Sequence, residues 1–275
     1  MRAMPIKTRS AKKGSCSLEA LRTEFDRLLT PQRFRDYCPN GLQVEGKPVV
    51  KKLVSGVTAC LELLDRAIEQ NADAIVVHHG YFFKGEDERV VGQKKLRLAR
   101  LLKADVSLFA YHLPLDAHPE LGNNAQLGLQ LGWPVSGYFG DASRGAQLGV
   151  FHDLVKPLTA RNVYKKINLA LWRKSEQTSG QKSLLVGNAE ASVTRVAWCT
   201  GAAQDMLQDA IDAGAQLFVS GEISERTTHL AKEMGVAFVA AGHHATERYG
   251  VQAIANTVAA ALGIEHQFID IPNPA

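Results

Sequence analysis

The stretch "LDRAIEQNADAIVVHH", residues 64–79, decides the fold. Leu64, Ala67 and Ile68 recur at helical spacing, a polar break follows, and Ile75, Val76 and Val77 then run straight into two histidines. An amphipathic helix passing into a short unbroken apolar strand marks a β-α-β unit, whose parallel strands are covered on both faces. The pattern returns 143 residues later as "LQDAIDAGAQLFVSGE" (207–222), with Leu64/Leu207, Ala67/Ala210, Ile68/Ile211, Ala72/Ala215 and Val76/Val219 identical. A strand precedes each copy, "LVSGVTA" (53–59) and "VAWCTGA" (196–202). A further strand follows each, "VSLFAYHLPLD" (106–116) and "VAFVAAGHHATE" (236–247), and then a helix ending in Leu-Gly. Five identities in sixteen also arise between unrelated β-α-β units. The alternative is an α/β protein of two related lobes with mainly parallel sheets, and it has the merit of organising the polar residues.

Working outward, the spacing predicts a Ser-started helix over 17–29, helices over 60–72, 92–104, 123–132 and about 159–172, and strands over 51–59, 73–80 and 105–112. "GYFGDASRGAQLG" is turn-rich and "SEQTSGQKS" (175–183) reads as loop. The expected division is a disordered basic tail over 1–16, a first lobe over 17–134, a segment over 135–192 that connects the lobes or joins the second, and a second lobe over 193–275.

Apolar residues make up 45% of the chain and charged residues 22%, an ordinary globular balance. No apolar run nears the roughly 20 residues that span a bilayer, and no apolar signal segment opens the chain, so a cytoplasmic protein is expected. The net charge of +4 suggests nucleic acid only until it is located. Arg2, Lys7, Arg9, Lys12 and Lys13 carry it, and without them 27 basic residues face 28 acidic ones. A near-neutral body argues against tight DNA binding. Cys16, Cys38, Cys60 and Cys199 are scattered and read as buried thiols of a reducing compartment.

Sites in open α/β sheets form at the carboxyl ends of strands. Three polar groups fall there. His78 and His79 end one strand, and because successive strand residues diverge, adjacent histidines suit two neighbouring ions; Gly80 after them permits close backbone approach. Their bland reading is a pair of surface histidines. Asp116 lies between Pro114 and Pro119 on a stiff loop suited to hold or bridge a metal, or else it caps a helix. His112 and His118 nearby suit supporting roles. In "AGHHATERYG" (241–250), a helix starting near His244 puts His243 at its cap and Glu247 in its first turn, an i, i+4 pair able to reach one point. A glutamate there is favourable on dipole grounds alone. His244 points elsewhere. The set His78, His79, Asp116, His243 and Glu247 mixes nitrogen and carboxylate ligands, which suits Zn, Mn, Fe, Co or Ni better than Mg or Ca. Two ions roughly 3.5–4 Å apart with open positions are the arrangement of a hydrolytic centre.

"YCPNGLQVEG" (37–46), "ADAIVVHHGYFFKGE" (72–86), "HLPLDAHPELGNNAQL" (112–127), "GHHATERYG" (242–250) and "IDIPNPA" (269–275) together resemble the NIF-three-like family of dinuclear-metal proteins, often labelled GTP cyclohydrolase I type 2 homologues. The resemblance runs from about residue 17 to the end. It implies a two-lobed α/β fold, a toroidal hexamer built as a trimer of dimers, and two divalent ions per subunit on the same five residues, with Glu247 as the bridge. It also implies a metal-dependent hydrolase that opens the guanine imidazole ring of GTP; the competing reading is a non-catalytic metal-binding hexameric scaffold or regulator engaging a protein or DNA partner, where a link to DNA repair would belong. There is no P-loop pattern. A triphosphate therefore requires cations near the metals, and Lys84 and Arg248 are the candidates.

Overall fold

The computed structural model describes residues 14–172 and 183–275. Most of the expected basic tail and nearly all of the polar stretch 175–183 lie outside the described residues. Along the chain run β1 (Cys16–Ser17), α1 (Leu18–Leu29), β2 (Gly41–Val44), β3 (Val49–Val50), β4 (Lys52–Thr58), α2 (Leu61–Glu69), β5 (Ala74–His79), α3 (Gly92–Ala104), β6 (Ser107–Ala110), α4 (Leu113–Ala117) and α5 (Asn123–Leu131). There follow β7 (Gly137–Phe139), β8 (Gly149–Thr159), α6 (Ala160–Trp172), β9 (Leu184–Val186), β10 (Ser192–Trp198), α7 (Leu207–Asp212), β11 (Leu217–Ser220), α8 (Glu225–Glu233), β12 (Ala237–Ala240), α9 (His243–Leu262) and β13 (Glu265–Phe268). Ser17 caps α1 by accepting from the Ala20 amide at 3.1 Å, as its Ser start predicts. Cys16, placed in the tail by sequence, pairs with Val50 in the small β1–β3 ladder.

Two sheets form the frame. The first has the order β13-β4-β5-β6-β2 and the second β7-β8-β10-β11-β12-β9. The three strands of each repeat, β4-β5-β6 and β10-β11-β12, are parallel. Antiparallel neighbours flank them: β2 beside β6, and β8 and β9 at the two sides of the second trio. The two-lobe repeat is therefore real at its centre, and 135–192 supplies three strands of the second sheet.

Alternation along the parallel strands builds a core on each face. In the first sheet Leu53, Val57, Ala74, Val76 and Phe109 pack towards α1 and α9, while Val54, Ile75, Val77 and Leu108 pack towards α2 and α3. In the second, Val196, Trp198, Leu217 and Val239 face α5 and α6, while Phe218 and Phe238 face α7 and α8.

The helices that follow the third strand of each repeat change places. Leu127 and Leu131 of α5 belong to the second core, and Val251, Ile254 and Val258 of α9 belong to the first. Burying those three α9 side chains alone contributes on the order of 5 kcal/mol, so the exchange is not a loose contact. The strand β13 also runs parallel to β4 in the first sheet. The boundaries expected at 134 and 193 thus do not follow the layers, because an apolar helical stripe records that it is buried and not against which sheet. Helices α5 and α9 lie against each other where Gly250 meets Asn123: a methyl on Gly250 would collide with the Asn123 backbone. This close crossing brings the carboxyl ends of the two parallel trios together.

Candidate metal centre

His78 and His79 end β5, past its last pairing with β6 at Val77, and the two rings lie 4.5 Å apart between centroids. Register pairs Thr58 with His79, and the Thr58 hydroxyl lies 3.2 Å from His79 Nδ1. His78 is fully buried, and its Nδ1 hydrogen donates to the Tyr111 carbonyl at 3.0 Å. That bond assigns Nδ1 as the hydrogen-bond donor to Tyr111 and leaves Nε2, aimed inward, as the nitrogen that would ligate once deprotonated. Gly80 does serve a close approach, with Gln43 packed against it and bonded to the Tyr81 amide at 2.7 Å.

Asp116 was expected on a loop, and the structure corrects this. It sits in the single-turn helix α4, which Pro114 helps to start. Its Oδ1 accepts from the Asn123 amide group at 2.8 Å, and Asn124 donates to its carbonyl at 3.3 Å, so the first residues of α5 hold the carboxylate in place. On the far side α9 begins at His243, one residue earlier than expected, and Glu247 lies one turn in. His243 Nδ1 is held by the Glu222 carboxylate at 2.6 Å. His244 points away to Asp270 at 2.7 Å.

The five residues converge. Glu247 Oε1 lies 3.4 Å from His78 Nε2, which lies 3.5 Å from Asp116 Oδ1. Glu247 Oε2 lies 3.4 Å from His79 Nε2 and 3.2 Å from His243 Nε2. His78, Asp116 and Glu247 thus make one group of prospective ligands, and His79, His243 and Glu247 another. Most of these separations exceed good hydrogen-bond lengths, and His78 Nε2 and Glu247 Oε2 are buried with no hydrogen-bond partner. A tetrahedron with bonds of about 2.1 Å has edges of about 3.4 Å, so the spacings are those of ligands around an ion. The donor set, two imidazoles with a carboxylate on one side and one imidazole with two carboxylates on the other, fits a divalent transition metal in each half. Gly201, at φ +71°, leaves the room: any side-chain carbon there would run into Glu247 Oε1.

The charges show a pocket short of cations. Burial would lower His78, but the carboxylates of Asp116 and Glu247 outweigh it and hold the ring at about 10. Burial opposes His243 too, yet Glu247 and Glu222 carry it to about 9. His79 is pushed the other way to about 3 by burial, which Glu247 offsets only in part, with the histidines around it adding repulsion. Burial would raise Glu247, but the facing histidines bring it well below the usual carboxylate range. Asp116 is raised, chiefly by burial.

Two supporting groups, Glu222 and Asp36, were not assigned from sequence, whereas His112 was expected in a supporting role. Glu222 orients His243, and its signal was present, because the repeat aligns Glu222 with His79. His112 is anchored through Nδ1 to Asp36 at 2.7 Å, while Asp36 also accepts from the Leu113 amide at 2.8 Å. The His112 ring lies 5.0 Å from that of His78. His118 instead accepts amides of its own turn, from Leu121 at 3.0 Å, and plays no part in the cluster. Arg248 donates to the Leu171 carbonyl at 2.8 Å and faces Asp270, so it is not a cation of the site, whereas Lys84 lines the cavity above it.

A two-lobed α/β fold with a histidine–carboxylate cluster between its lobes defines a class, and the family model Duf34/NIF3 (NGG1p interacting factor 3) matches residues 17–274. The chain belongs to the DUF34/NIF3 family. Its relatives include proteins of Pseudomonas aeruginosa and Vibrio cholerae serotype O1, each named "GTP cyclohydrolase 1 type 2 homolog". They are 49% and 46% identical over 94% and 95% of this chain and 99% of their own lengths. Among solved structures, the protein ybgI, described as of unknown function, superposes with a TM-score of 0.84 at 43% identity, covering 94% of this chain and all of that one. A protein of Thermus thermophilus superposes at 0.78 with 32% identity, over 94% of this chain and 99% of its own. Among the described residues no helix is long and apolar enough to cross a membrane.

Proposed function

We propose that the protein is a dinuclear metal-dependent hydrolase acting on a nucleotide, with ring opening of the GTP-cyclohydrolase type as the form that its relatives' names suggest. The observation that carries this reading is Glu247, whose two oxygens each face a separate histidine group while His78 Nε2 on one side and Glu247 Oε2 on the other are buried with no hydrogen-bond partner. His78, Asp116 and Glu247 would hold one divalent ion and His79, His243 and Glu247 the other, with Zn, Mn, Fe, Co or Ni suited to the donors. Such ions, when bound, would supply Lewis acidity and activate water for attack.

The chain's own residues do the rest. Tyr111 and Glu222 fix the imidazole tautomers, and Asn123 holds Asp116. The cavity over the cluster, about 630 Å³, is of the size that takes a nucleotide-sized ligand. His112 lines it with Nδ1 committed to Asp36, so Nε2 is the atom placed to take a proton from, or return one to, a reacting group. A cytoplasmic setting, supported by the four free thiols, and a hexameric ring built as a trimer of dimers complete the proposal.

The test is turnover of GTP and simple phosphoesters by protein loaded with Mn or Zn. His79→Ala and Glu247→Ala variants that keep the wild-type assembly should lose activity, and His112→Ala should lose about 10²–10⁴-fold in rate while keeping its metal. Equal turnover in wild type and both ligand variants would contradict the two-metal reading. A metal-loaded protein that turns over nothing would leave a non-catalytic scaffold.

A further inference from the structure

The wall of the cavity over the cluster carries two cations that the metal reading does not use. Lys84 and Arg144 both line it, together with Tyr37 and Phe83. Their backbones are tied to one another across the sequence: the Lys84 amide donates to the Tyr37 carbonyl at 2.6 Å, and the Arg35 amide to the Arg144 carbonyl at 2.9 Å. The Arg144 guanidinium stacks 4.1 Å above the centre of the Tyr37 ring. Tyr37 and Phe83 in turn stand edge-on to His112, at 6.2 and 5.7 Å between centroids. Flat rings and two cations are therefore carried on a hydrogen-bonded backbone frame beside the candidate proton-carrying imidazole.

Neither cation makes an ion pair among the described residues, in contrast to the arginines of the outer surface such as Arg22, Arg27 and Arg66, which pair with glutamates on their own helices. Asp141, three residues before Arg144, feels its charge but keeps its hydrogen bonds for Ser143. The carboxylates farther along the cavity are Asp205, which pairs with Arg226 at 2.5 Å, and Asp209. The lining thus gathers two cations and two aromatic rings, and it also carries the carboxylates of Asp141, Asp205 and Asp209.

We propose that Lys84 and Arg144 form a phosphate-binding subsite for a ligand with a flat ring, the chemistry of a nucleotide, and that Tyr37 and Phe83 pack against that ring. The inference rests on the hydrolase reading and supplies its substrate contacts. Arg144 offers a planar fork to the phosphate oxygens and Lys84 a point charge. Release of Arg144 towards the ligand would also free the Tyr37 face for stacking.

The experiment is calorimetric titration of the full-length, Mn-loaded protein with GTP, guanosine and inorganic triphosphate, alongside Lys84→Ala, Arg144→Ala and the double variant, with metal content measured on each. Each single substitution should weaken GTP and triphosphate binding about tenfold or more and leave guanosine binding and metal content unchanged. The triphosphate affinity should also fall steeply with salt in wild type and less so in the double variant. Unchanged triphosphate and GTP affinity in the double variant would overturn the subsite, as would a wild type that binds neither. Turnover is read separately: a protein that binds GTP through these residues but hydrolyses nothing keeps the subsite and loses the hydrolase.

Discussion

The two lobes begin from one pattern and end it differently. Where the first repeat finishes in His78-His79, the second finishes in Gly221-Glu222, and where the first has Thr58 bracing His79, the second has Gly201. The first lobe therefore presents ligands directly from its strand end. The second presents space and a carboxylate that does not ligate but orients His243, and it leaves ligation to the start of α9. The comparison teaches that a repeated frame need not carry a repeated site. The first copy supplies and holds His78 and His79, the second clears room at Gly201 and aims its own His243 through Glu222, and Glu247 joins the halves because the exchange of α5 and α9 drives α9 across the seam.

The sharpest way to break this asymmetry is to remove its shared member. Glu247→Gln keeps the volume but loses the charge seen by both histidine groups, so metal analysis should show loss of both ions, whereas His243→Ala or Asp116→Ala should chiefly empty its own half. Retention of one full equivalent by Glu247→Gln would mean that the halves do not share it. Next in size is Gly201→Ala. It places a methyl against Glu247 Oε1 at φ +71°, and it should cost about 1–3 kcal/mol in denaturant unfolding together with metal occupancy.

A smaller effect is expected when only the aiming group changes. Glu222→Gln should weaken the His79–His243 half about 10–100-fold in a metal titration and leave the His78–Asp116 half alone. Weakening of both halves alike would show that Glu222 acts on the whole seam.

The mildest probe is pH. In the metal-free protein His78 and His243 are held at about 10 and about 9, above the ordinary 6.5. Their stabilising pairing with the carboxylates is fully present below pH 6.5 and is lost as pH rises through those values. Since a ligand must be deprotonated, metal affinity should climb with pH by up to two protons' worth per unit until then. His79, lowered to about 3, runs opposite: its contribution to stability is whole above 6.5 and declines below it. Thermal unfolding of metal-free protein across pH, compared with His79→Ala, separates the two trends.

Much of this was legible in the sequence because it was local. The helices over 18–29, 92–104 and 123–131 follow from stripes and caps, and the ligands from strands that run into histidines. The Glu222 role was legible in principle, in its alignment with His79. What the sequence did not show is tertiary in origin. The placement of Asp116 on α4 depends on a five-residue helix too short to have a period. The exchange of α5 and α9, the joining of β13 to the first sheet, the bond of Asp36 to His112 and the arrival of Arg144 at the cavity all depend on which surfaces meet. Arg248 shows the converse: its place next to Glu247 in sequence suggested the site, and its helix face turned it to Leu171.

Glu247 faces both prospective metal positions, one with His78 and Asp116 and the other with His79 and His243, and whether it would join two ions is tested most directly by titrating the metal-free protein with Mn(II), followed by electron paramagnetic resonance. Saturation is expected at two ions per chain with a spectrum of magnetically coupled Mn(II), replaced by isolated-ion signals in Glu247→Gln. A wild-type protein that saturates with isolated-ion signals alone would contradict a bridging Glu247.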